Sequence, residues 1–302
     1  MVFDCVIVGS GPAGLTAGIY LARANKKVAI LEKMAIGGQV SEIGIIENYP
    51  GFFSISGSEL SMNMYNQAKK LGVEFITEEV VSYDLREEIK KVNTSKKEIE
   101  TTTIILALGS VARTLNAENE KKFIGKGVSY CATCDGHFFK GKKVAVVGSG
   151  DTAVSNAQYL SNLAERVYIV SKYAPMKLRN SKMEDLEKLS NVEIFLEAKA
   201  LSIIGEDKVE ALEIQHNGQR KQIKIEGIFV SIGRNPDTEN LHGEIELDEK
   251  GYILADAEMK TSQEGVFAAG DIVSGSVKQI VTAASLGAIA SYSVIKYLNS
   301  RK

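Results

Sequence analysis

The fold is decided by the opening segment of the chain, where residues 3–32 read FDCVIVGSGPAGLTAGIYLARANKKVAILE. The apolar run Phe3–Val8 predicts a fully buried strand, and residues 15–24 carry the spacing of a helix. The run Val28–Glu32 predicts a second buried strand. Two buried strands joined by a helix form a βαβ unit, in which the strands lie parallel in one sheet.

A glycine-rich loop, GSGPAG at residues 9–14, connects the first strand to the helix. Gly9 permits a tight turn, Gly11 lets the backbone approach a pyrophosphate, and Gly14 allows the helix to pack closely. Glu32 ends the second strand, where its carboxylate can accept hydrogen bonds from a ribose diol; an exposed glutamate at a strand end would give the same pattern. The loop predicts a dinucleotide site with the phosphates at the helix N-terminus.

The same order of elements recurs in the middle of the chain. Lys143–Val147 predicts a strand, residues 152–163 predict a helix, and residues 167–170 predict a second strand. Another glycine-rich loop, GSGDTA at residues 148–153, separates the first of these strands from the helix. The repetition predicts two related nucleotide-binding halves.

The second half differs from the first at the end of its second strand. Ser171 stands where the first half has Glu32, and Lys172, Lys177 and Arg179 follow. Positive charge at this place favours a coenzyme that carries a 2′-phosphate over one with a free ribose diol. The alternative is that these three basic side chains bind no ligand and are only the solvated side chains of a surface loop.

Both halves continue into runs of short strands, which end in IILALG at residues 104–109 and IFVSIG at residues 228–233. A further buried strand, GVFAAGD at residues 265–271, has no βαβ unit of its own and precedes a small-residue helix over residues 280–298. The economical interpretation is that this last segment returns to complete the first domain.

The sequence therefore predicts an α/β protein with two Rossmann-like, dinucleotide-binding domains. Each has a βαβ core and a β-meander, and the second domain is inserted into the first. The expected bounds are residues 1–115 and 244–302 for the discontinuous first domain, and residues 116–243 for the second, which also carries the cysteine pair described below.

Composition excludes several classes of protein. The net charge of −2 gives no electrostatic case for nucleic acid or for an anionic membrane. No apolar stretch reaches the roughly 18 uninterrupted residues of a membrane helix, and the first residues do not have the pattern of a signal peptide. We expect a cytoplasmic enzyme, in which a disulfide among the 3 cysteines would be catalytic rather than structural.

A pair of cysteines lies in the phrase CATCDG at residues 131–136. Cys131 and Cys134 are close enough in sequence to close a small disulfide that is easily reduced. A zinc site would need two further ligands, and Cys5 lies in a predicted buried strand, so no metal site is expected. Asp135 can carry a proton to or from a sulfur, or its side chain can cap the turn at Gly136.

These features resemble the low-molecular-weight thioredoxin reductases of the FAD-dependent pyridine nucleotide-disulfide oxidoreductase family, over essentially the whole chain. The most specific part is SYCATCDGHFFKGK at residues 129–142, which leads into the second glycine loop. Supporting parts are GGQ at residues 37–39, ENYPGF at residues 47–52 and VFAAGD at residues 266–271.

The resemblance implies that FAD binds the first domain and that NADPH binds the second. By matching position, the FAD contacts are Gly9, Ser10, Gly11, Pro12, Ala13, Gly14, Glu32, Gly38, Gln39, Asn48, Val80, Gly270, Asp271, Lys278, Gln279 and Ile280. The contacts to NADP are Gly148, Gly150, Asp151, Thr152, Ala153, Lys172 and Lys177.

The resemblance also implies a mechanism. Electrons would pass from the nicotinamide to the flavin and then to the disulfide, with Cys134 facing the flavin and Cys131 attacking the disulfide of a thioredoxin-like protein. Asp135 would be the proton shuttle. Members of the family form homodimers, so we expect a homodimer here.

One departure from the family pattern concerns the coenzyme. Members that use NADPH carry His-Arg-Arg where this chain has Ser171, Lys172 and Tyr173, and a later arginine is Lys177 here. Lysine lacks the planar fork with which arginine binds a phosphate. NADH, ferredoxin or another donor therefore stays an alternative to NADPH, and a non-catalytic flavoprotein redox sensor stays an alternative to an enzyme.

Overall fold

The structure is a computed structural model that describes residues 2–178 and 183–301; Arg179, one of the predicted cations, lies outside the described residues. The chain divides into two compact units, residues 1–111 with 235–302 and residues 112–234. Residues 235–243, expected in the inserted domain, belong to the first unit, because Asp237 pairs with Lys33 at 2.8 Å and the Asn240 amide donates to the Val80 carbonyl at 3.5 Å. Residues 112–115 belong to the second unit.

The helices and strands follow in chain order. The helices are α1 (Pro12–Arg23), α2 (Gly57–Lys70), α3 (Ala132–Asp135), α4 (Asp151–Ser161), α5 (Met183–Glu187) and α6 (Ile280–Ser300). The strands are β1 (Phe3–Val8), β2 (Val28–Glu32), β3 (Glu74–Thr77), β4 (Val80–Asp84), β5 (Lys90–Thr94), β6 (Glu98–Leu106), β7 (Ser110–Ala112), β8 (Val128–Ser129), β9 (Lys143–Val147), β10 (Arg166–Val170), β11 (Val192–Phe195), β12 (Lys199–Ile204), β13 (Ala211–His216), β14 (Gln219–Lys224), β15 (Gly227–Val230), β16 (Arg234–Pro236) and β17 (Val266–Ala268).

In the first unit one sheet has the strand order β3-β2-β1-β6-β5-β4, and β17 pairs with the end of β6. Strands β1, β2, β3, β6 and β17 are parallel, whereas β4, β5 and β6 form an antiparallel meander. Because parallel strands end at one edge of a sheet, the loop after β1, the end of β2 and the loop after β17 meet at the same edge. This edge is where a nucleotide is expected.

Helix α6 packs along α1 on this sheet. A Cβ on Gly287 would lie 2.1 Å from the Ala13 carbonyl oxygen, so only glycine lets the two helices approach this closely. By length and composition alone α6 is also apolar enough to cross a membrane, and among the described residues it is the one helix with this property. Buried side chains of α6, including Val294 and Leu298, join the core of the first unit.

The second unit holds a parallel sheet with the order β11-β10-β9-β15-β8 and an antiparallel sheet of β12, β13 and β14. Strand β8 lies at the edge of the parallel sheet, with Ser129 opposite Phe229 of β15. The chain leaves β8 and enters the CATCDG phrase within two residues, so the cysteine pair is attached directly to a sheet edge. Strands β7 and β16 pair with each other.

The predicted fold class is confirmed, with a βαβ core and a meander in each unit. Helix α1 begins at Pro12 rather than at residue 15, because Gly11 is already the residue before the first turn and proline is favoured at the first helical position. The strands expected to run through Gly109 and Gly233 end earlier, at Leu106 and Val230, and both glycines lie in the segments that follow, with positive φ values of +71° and +100°.

Candidate functional site

The first glycine loop combines two packing glycines with one that faces open space. A Cβ on Gly9, whose φ is +105°, would lie 2.3 Å from the Ala107 carbonyl oxygen, and a Cβ on Gly14 would lie 1.9 Å from the Gly9 oxygen. A Cβ on Gly11, by contrast, would have no described atom within 4 Å. The protein therefore needs Gly9 and Gly14 for its own fold, whereas the space beside Gly11 suits a ligand.

Other predicted FAD residues gather at the start of α1. Gly11 precedes the helix and has no side chain that could cap it, so the amides of the first turn are left for an outside acceptor. Gly38 would place a Cβ 3.6 Å from the Gly11 Cα, and Gly270 would place one 2.8 Å from the Ala13 Cβ. Ser10 is fully buried beside them. This arrangement fits the pyrophosphate of a dinucleotide.

Glu32 is bound to the same loop. Its Oε2 accepts hydrogen bonds from the Ser10 amide at 3.0 Å and from the Ser10 hydroxyl at 2.7 Å, and its Oε1 accepts from the Met34 amide at 3.0 Å. Both lone pairs of Oε2 are used by Ser10, whereas Oε1 accepts one hydrogen bond and keeps a lone pair, so the group can still accept from a ribose hydroxyl. Glu32 thus has a role in shaping the loop that the sequence motif did not indicate.

Five predicted FAD residues form a second group near the start of α6. The Asn48 amide donates to the Gln279 side-chain oxygen at 3.2 Å, and Gln279 caps α6, which begins at Ile280. The Lys278 ammonium donates to the Asp271 carbonyl at 2.6 Å. The loop after β17 and the start of α6 are therefore fixed to each other.

The last two predicted FAD residues are held by other contacts. The Gln39 amide donates to the Ser110 carbonyl at 2.7 Å. Val80 begins β4, where it pairs with Thr94 of β5, and its carbonyl accepts from the Asn240 amide at 3.5 Å. The structure thus brings most of the predicted set to the carboxyl edge of the sheet, and Val80 stands apart from the hydrogen-bonded groups.

The second glycine loop has the same plan. A Cβ on Gly148 would lie 2.3 Å from the Ser231 carbonyl oxygen, which makes Gly148 a packing residue. Gly150 precedes α4, and a Cβ there would meet only the Lys177 carbonyl oxygen, at 3.7 Å. Of the other predicted residues, Asp151, Thr152 and Ala153 form the first turn of α4.

Ser149, which the sequence did not single out, joins this loop to the predicted cations. Its carbonyl accepts from the Lys177 amide at 2.7 Å, and its hydroxyl accepts from the Lys172 amide at 3.1 Å and from the Ser171 hydroxyl at 2.9 Å. The Lys177 ammonium lies 3.8 Å from the centre of the Tyr173 ring. Lys172 and Lys177 are therefore held beside the loop on which a coenzyme phosphate would bind.

Cys131 and Cys134 form a disulfide, with their Cα atoms 5.3 Å apart. Cys131 precedes the short helix α3, and its Sγ accepts a hydrogen bond from the Cys134 amide at 3.2 Å. A donor aimed at a sulfur favours the thiolate once the bond is reduced. The pair is partly exposed, as a disulfide that exchanges with a partner must be.

Asp135 points back to β8. Its Oδ2 accepts a hydrogen bond from the Ser129 hydroxyl at 2.6 Å. The Asp135 side chain makes no cap hydrogen bond to the turn that begins at Gly136, and its role as proton shuttle stays a prediction. Sequence spacing could not have found Ser129, because the bend at the start of α3 is what brings Ser129 and Asp135 together.

Tyr130 fixes the other side of the same segment. Its hydroxyl donates to Glu120 at 2.8 Å, and the buried Glu120 also accepts from the amides of Leu115 and Asn116. Burial, and then this contact with Glu120, raise the pKa of Tyr130. Neither residue was predicted from the sequence.

Cys5 is fully buried in β1, and burial raises its pKa to about 12. The prediction that Cys5 lies in a buried strand is confirmed, and a raised pKa disfavours the thiolate, which is the reactive form. Among the described residues, no group of histidine, cysteine, aspartate and glutamate side chains could hold a metal ion.

Comparison with known proteins agrees with this geometry. Residues 3–287 match the family model of the pyridine nucleotide-disulphide oxidoreductases. A thioredoxin reductase of Aquifex aeolicus is 39% identical, and the alignment covers 100% of this chain and 95% of the relative. The crystal structure of a thioredoxin reductase from Streptococcus pyogenes superposes with a TM-score of 0.93 at 38% identity, over 99% of both chains.

A ferredoxin-flavin thioredoxin reductase from Clostridium acetobutylicum is 31% identical over 99% of this chain and 98% of its own, with a TM-score of 0.54. The expected family, the class of oxidoreductase and the FAD and pyridine nucleotide cofactors are confirmed by these findings. The chain belongs to the pyridine nucleotide-disulphide oxidoreductase family, and within it to the low-molecular-weight, FAD-dependent thioredoxin reductase type.

Proposed function

We propose that this protein reduces the disulfide of a thioredoxin-like protein, with electrons that pass from NADPH through FAD to the Cys131–Cys134 disulfide. The observation that carries the proposal is the disulfide itself, which is partly exposed and followed directly by Asp135. When bound, FAD accepts a hydride from the nicotinamide and supplies two electrons to the disulfide. The first unit holds FAD through its glycine loop, and the second holds NADPH.

The cysteines transfer two electrons in two exchanges. In the reduced protein Cys131 is a thiolate, Cys134 is a thiol and Asp135 is a protonated acid. The Cys131 thiolate forms a bond to one sulfur of the partner disulfide, and the other partner sulfur leaves and takes the proton of Asp135. The Cys131 thiolate is favoured by the Cys134 amide that donates to its sulfur.

The second exchange restores the disulfide. Asp135, now a carboxylate, takes the proton of Cys134, whose sulfur attacks Cys131 and displaces the second partner sulfur. That sulfur takes the proton back from Asp135. The partner has then gained two electrons and two protons, and the protein ends with the Cys131–Cys134 disulfide and an ionised Asp135, which is the state in which Ser129 donates to its carboxylate.

NADPH as the donor is supported by the two lysines beside the second loop. Both Lys172 and Lys177 are anchored through their backbone amides to Ser149, so their positions are set by the loop itself. A 2′-phosphate at this place would meet two ammonium groups. The specific observation that favours another donor is the same loop, because Ser171 and Tyr173 stand where NADPH-using members of the family have histidine and arginine.

Anaerobic mixing of the oxidised holoprotein with NADPH, with NADH or with reduced ferredoxin tests the donor. We expect the flavin absorbance to bleach fastest with NADPH. Bleaching by reduced ferredoxin alone would refute the pyridine nucleotide as donor and would place the protein with the ferredoxin-linked relative.

Turnover with thioredoxin separates an enzyme from a redox sensor. We expect many equivalents of thioredoxin disulfide to be reduced by each protein molecule in the presence of the donor. Flavin reduction followed by only one equivalent of thioredoxin would refute the enzyme and support the sensor.

A homodimer and a cytoplasmic location belong to the same proposal. An exposed aromatic pair supports a surface between two copies: Tyr20 of α1 and Tyr292 of α6 pack edge to face at 5.9 Å, and Tyr292 remains 65% exposed. Sedimentation of the holoprotein tests the assembly, and a monomer at micromolar concentration would refute it.

A further inference from the structure

Ser129 is placed between the proton-carrying group of the site and the backbone of the attacking cysteine. Its hydroxyl donates to Asp135 Oδ2 at 2.6 Å, accepts from the Cys131 amide at 3.0 Å, and lies 3.2 Å from the Cys131 carbonyl oxygen. The residue is only 6% exposed and is fixed in β8, opposite Phe229. Its oxygen is therefore held in one place whatever happens at Asp135.

A serine hydroxyl has one proton to donate and two lone pairs that accept. When Asp135 is ionised, the Ser129 hydroxyl donates its proton to the carboxylate and not to the Cys131 carbonyl. With Asp135 protonated on Oδ2, the acid can donate to Ser129 Oγ, and the hydroxyl can rotate its proton to the Cys131 carbonyl. In that second state both lone pairs of Ser129 are used, by Asp135 and by the Cys131 amide.

We propose that Ser129 is a positioning residue that holds the Asp135 carboxyl in one place in both of its protonation states, by rotating its own hydroxyl between Asp135 and the Cys131 carbonyl. The inference rests on the proposed function, in which Asp135 gives a proton to a leaving sulfur and takes one from Cys134. Neither proton transfer then requires the Asp135 carboxyl to leave Ser129. The Ser129 hydroxyl changes from hydrogen-bond donor to hydrogen-bond acceptor while its oxygen keeps its position.

The test uses two small disulfides that differ in their need for a proton. The sulfur that leaves hydroxyethyl disulfide is strongly basic and needs protonation, whereas the thionitrobenzoate that leaves 5,5′-dithiobis(2-nitrobenzoic acid) is stable as an anion. The holoprotein is reduced with dithiothreitol, desalted, and mixed anaerobically with each probe across a range of pH. The measured quantity is the rate at which the first thiol leaves.

For Ser129→Ala we expect a rate with hydroxyethyl disulfide that is lower by about tenfold at its maximum, as a general acid that is no longer positioned loses part of its 10²–10⁴-fold contribution. The rate advantage that Asp135 gives with this probe, measured against Asp135→Asn, should fall by the same factor. The first release of thionitrobenzoate should change by less than about twofold.

Tyr130→Phe is the matched control. It removes a hydrogen bond from the same segment, to Glu120, and leaves the contact between Ser129 and Asp135 in place. Any general loosening of the segment should affect both probes alike, whereas the loss of Ser129 should lower the rate with hydroxyethyl disulfide alone. A Ser129→Ala variant that behaves like Tyr130→Phe would overturn the proposal.

Ser129→Thr restores the hydroxyl and should restore the wild-type profile if its melting temperature matches that of the wild type. A folded threonine variant with the alanine profile would also overturn the proposal; if threonine does not fold, the comparison of Ser129→Ala with Tyr130→Phe decides. The proposed function fails separately, through an Asp135→Asn variant whose rates with both probes equal those of the wild type.

Discussion

Replacing Gly11 with alanine should weaken FAD binding and leave the protein without FAD nearly as stable as before. The φ and ψ of Gly11 are −68° and −178°, which any residue adopts, and its Cβ would have no described atom within 4 Å. Alanine before a helix lowers the free energy of unfolding by roughly 1 kcal/mol relative to glycine. Alanine also makes the unfolded chain less flexible, which raises the free energy of unfolding by about 0.4–1 kcal/mol. The free energy of unfolding of the apoprotein should therefore change by less than about 1 kcal/mol.

The effect on FAD comes from the space that the methyl group fills. If the pyrophosphate approaches the backbone at Gly11, the added methyl group acts as overpacking, which costs about 1–3 kcal/mol. The dissociation constant should rise by roughly 5- to 150-fold, since 1.4 kcal/mol corresponds to a factor of ten. The measurement is a fluorescence titration of FAD into protein from which the flavin has been removed, with thermal unfolding of the apoprotein followed by circular dichroism.

Two further glycines serve as controls. Gly150→Ala makes the same change in the second loop and should leave FAD affinity unaltered. Gly14→Ala should destabilise the apoprotein itself, because its Cβ would lie 1.9 Å from the Gly9 oxygen. A Gly11→Ala protein that binds FAD within about twofold of the wild type would show that no phosphate lies beside this residue, and the assignment of the loop would be wrong.

Three other predictions concern the cysteines and the lysines. Cys131→Ser and Cys134→Ser should each abolish thioredoxin reduction in a coupled assay and keep a normal flavin spectrum; wild-type turnover by either would refute the exchange mechanism. Lys172→Ala with Lys177→Ala should raise the KM for NADPH about tenfold or more and leave the KM for NADH unchanged, because only NADPH has the 2′-phosphate; equal effects would show that these lysines do not bind it. Burial raises the pKa of Cys5 from 9.0 to about 12. The neutral thiol of Cys5 therefore makes its full contribution to the free energy of unfolding below pH 9. This contribution falls by about 4 kcal/mol as the pH rises to about 12. In urea unfolding Cys5→Ala should reduce that slope but not abolish it, because burial also raises the pKa of Tyr83 and Tyr130; an unchanged slope would contradict the assignment to Cys5.

The nucleotide loops could be predicted because their signal is local. The spacing of Gly9, Gly11 and Gly14 follows from the geometry of one turn between a strand and a helix, and a short window of sequence contains it. The same holds for the cysteine pair, which α3 brings together within a single turn. The strands β1, β2 and β9 were located to the residue, since long apolar runs between polar loops leave little freedom.

The contacts around the cysteines could not be predicted from spacing, because they join residues through the shape of the segment. Ser129 and Asp135 meet only because the chain turns at Cys131, and Tyr130 reaches Glu120 across the second unit. The compact second unit ends at Arg234, before the expected residue 243, for a similar reason. Asp237 and Asn240 are polar residues in a loop, and nothing local shows that their partners are Lys33 and the Val80 carbonyl.

The position of Ala13 limits when the first unit can fold during synthesis on the ribosome. Ala13 packs closely against Gly270 and Gly287, which both belong to the last part of the chain. Strand β17, also from this part, pairs with β6 in the sheet. The glycine loop is synthesised first, yet its packing partners emerge last. During synthesis the inserted unit, residues 112–234, is available to fold before the unit that surrounds it in sequence. A ribosome-bound chain that ends before α6 should therefore hold a folded inserted unit but no complete flavin pocket, so capture of FAD would be a late, nearly post-translational event.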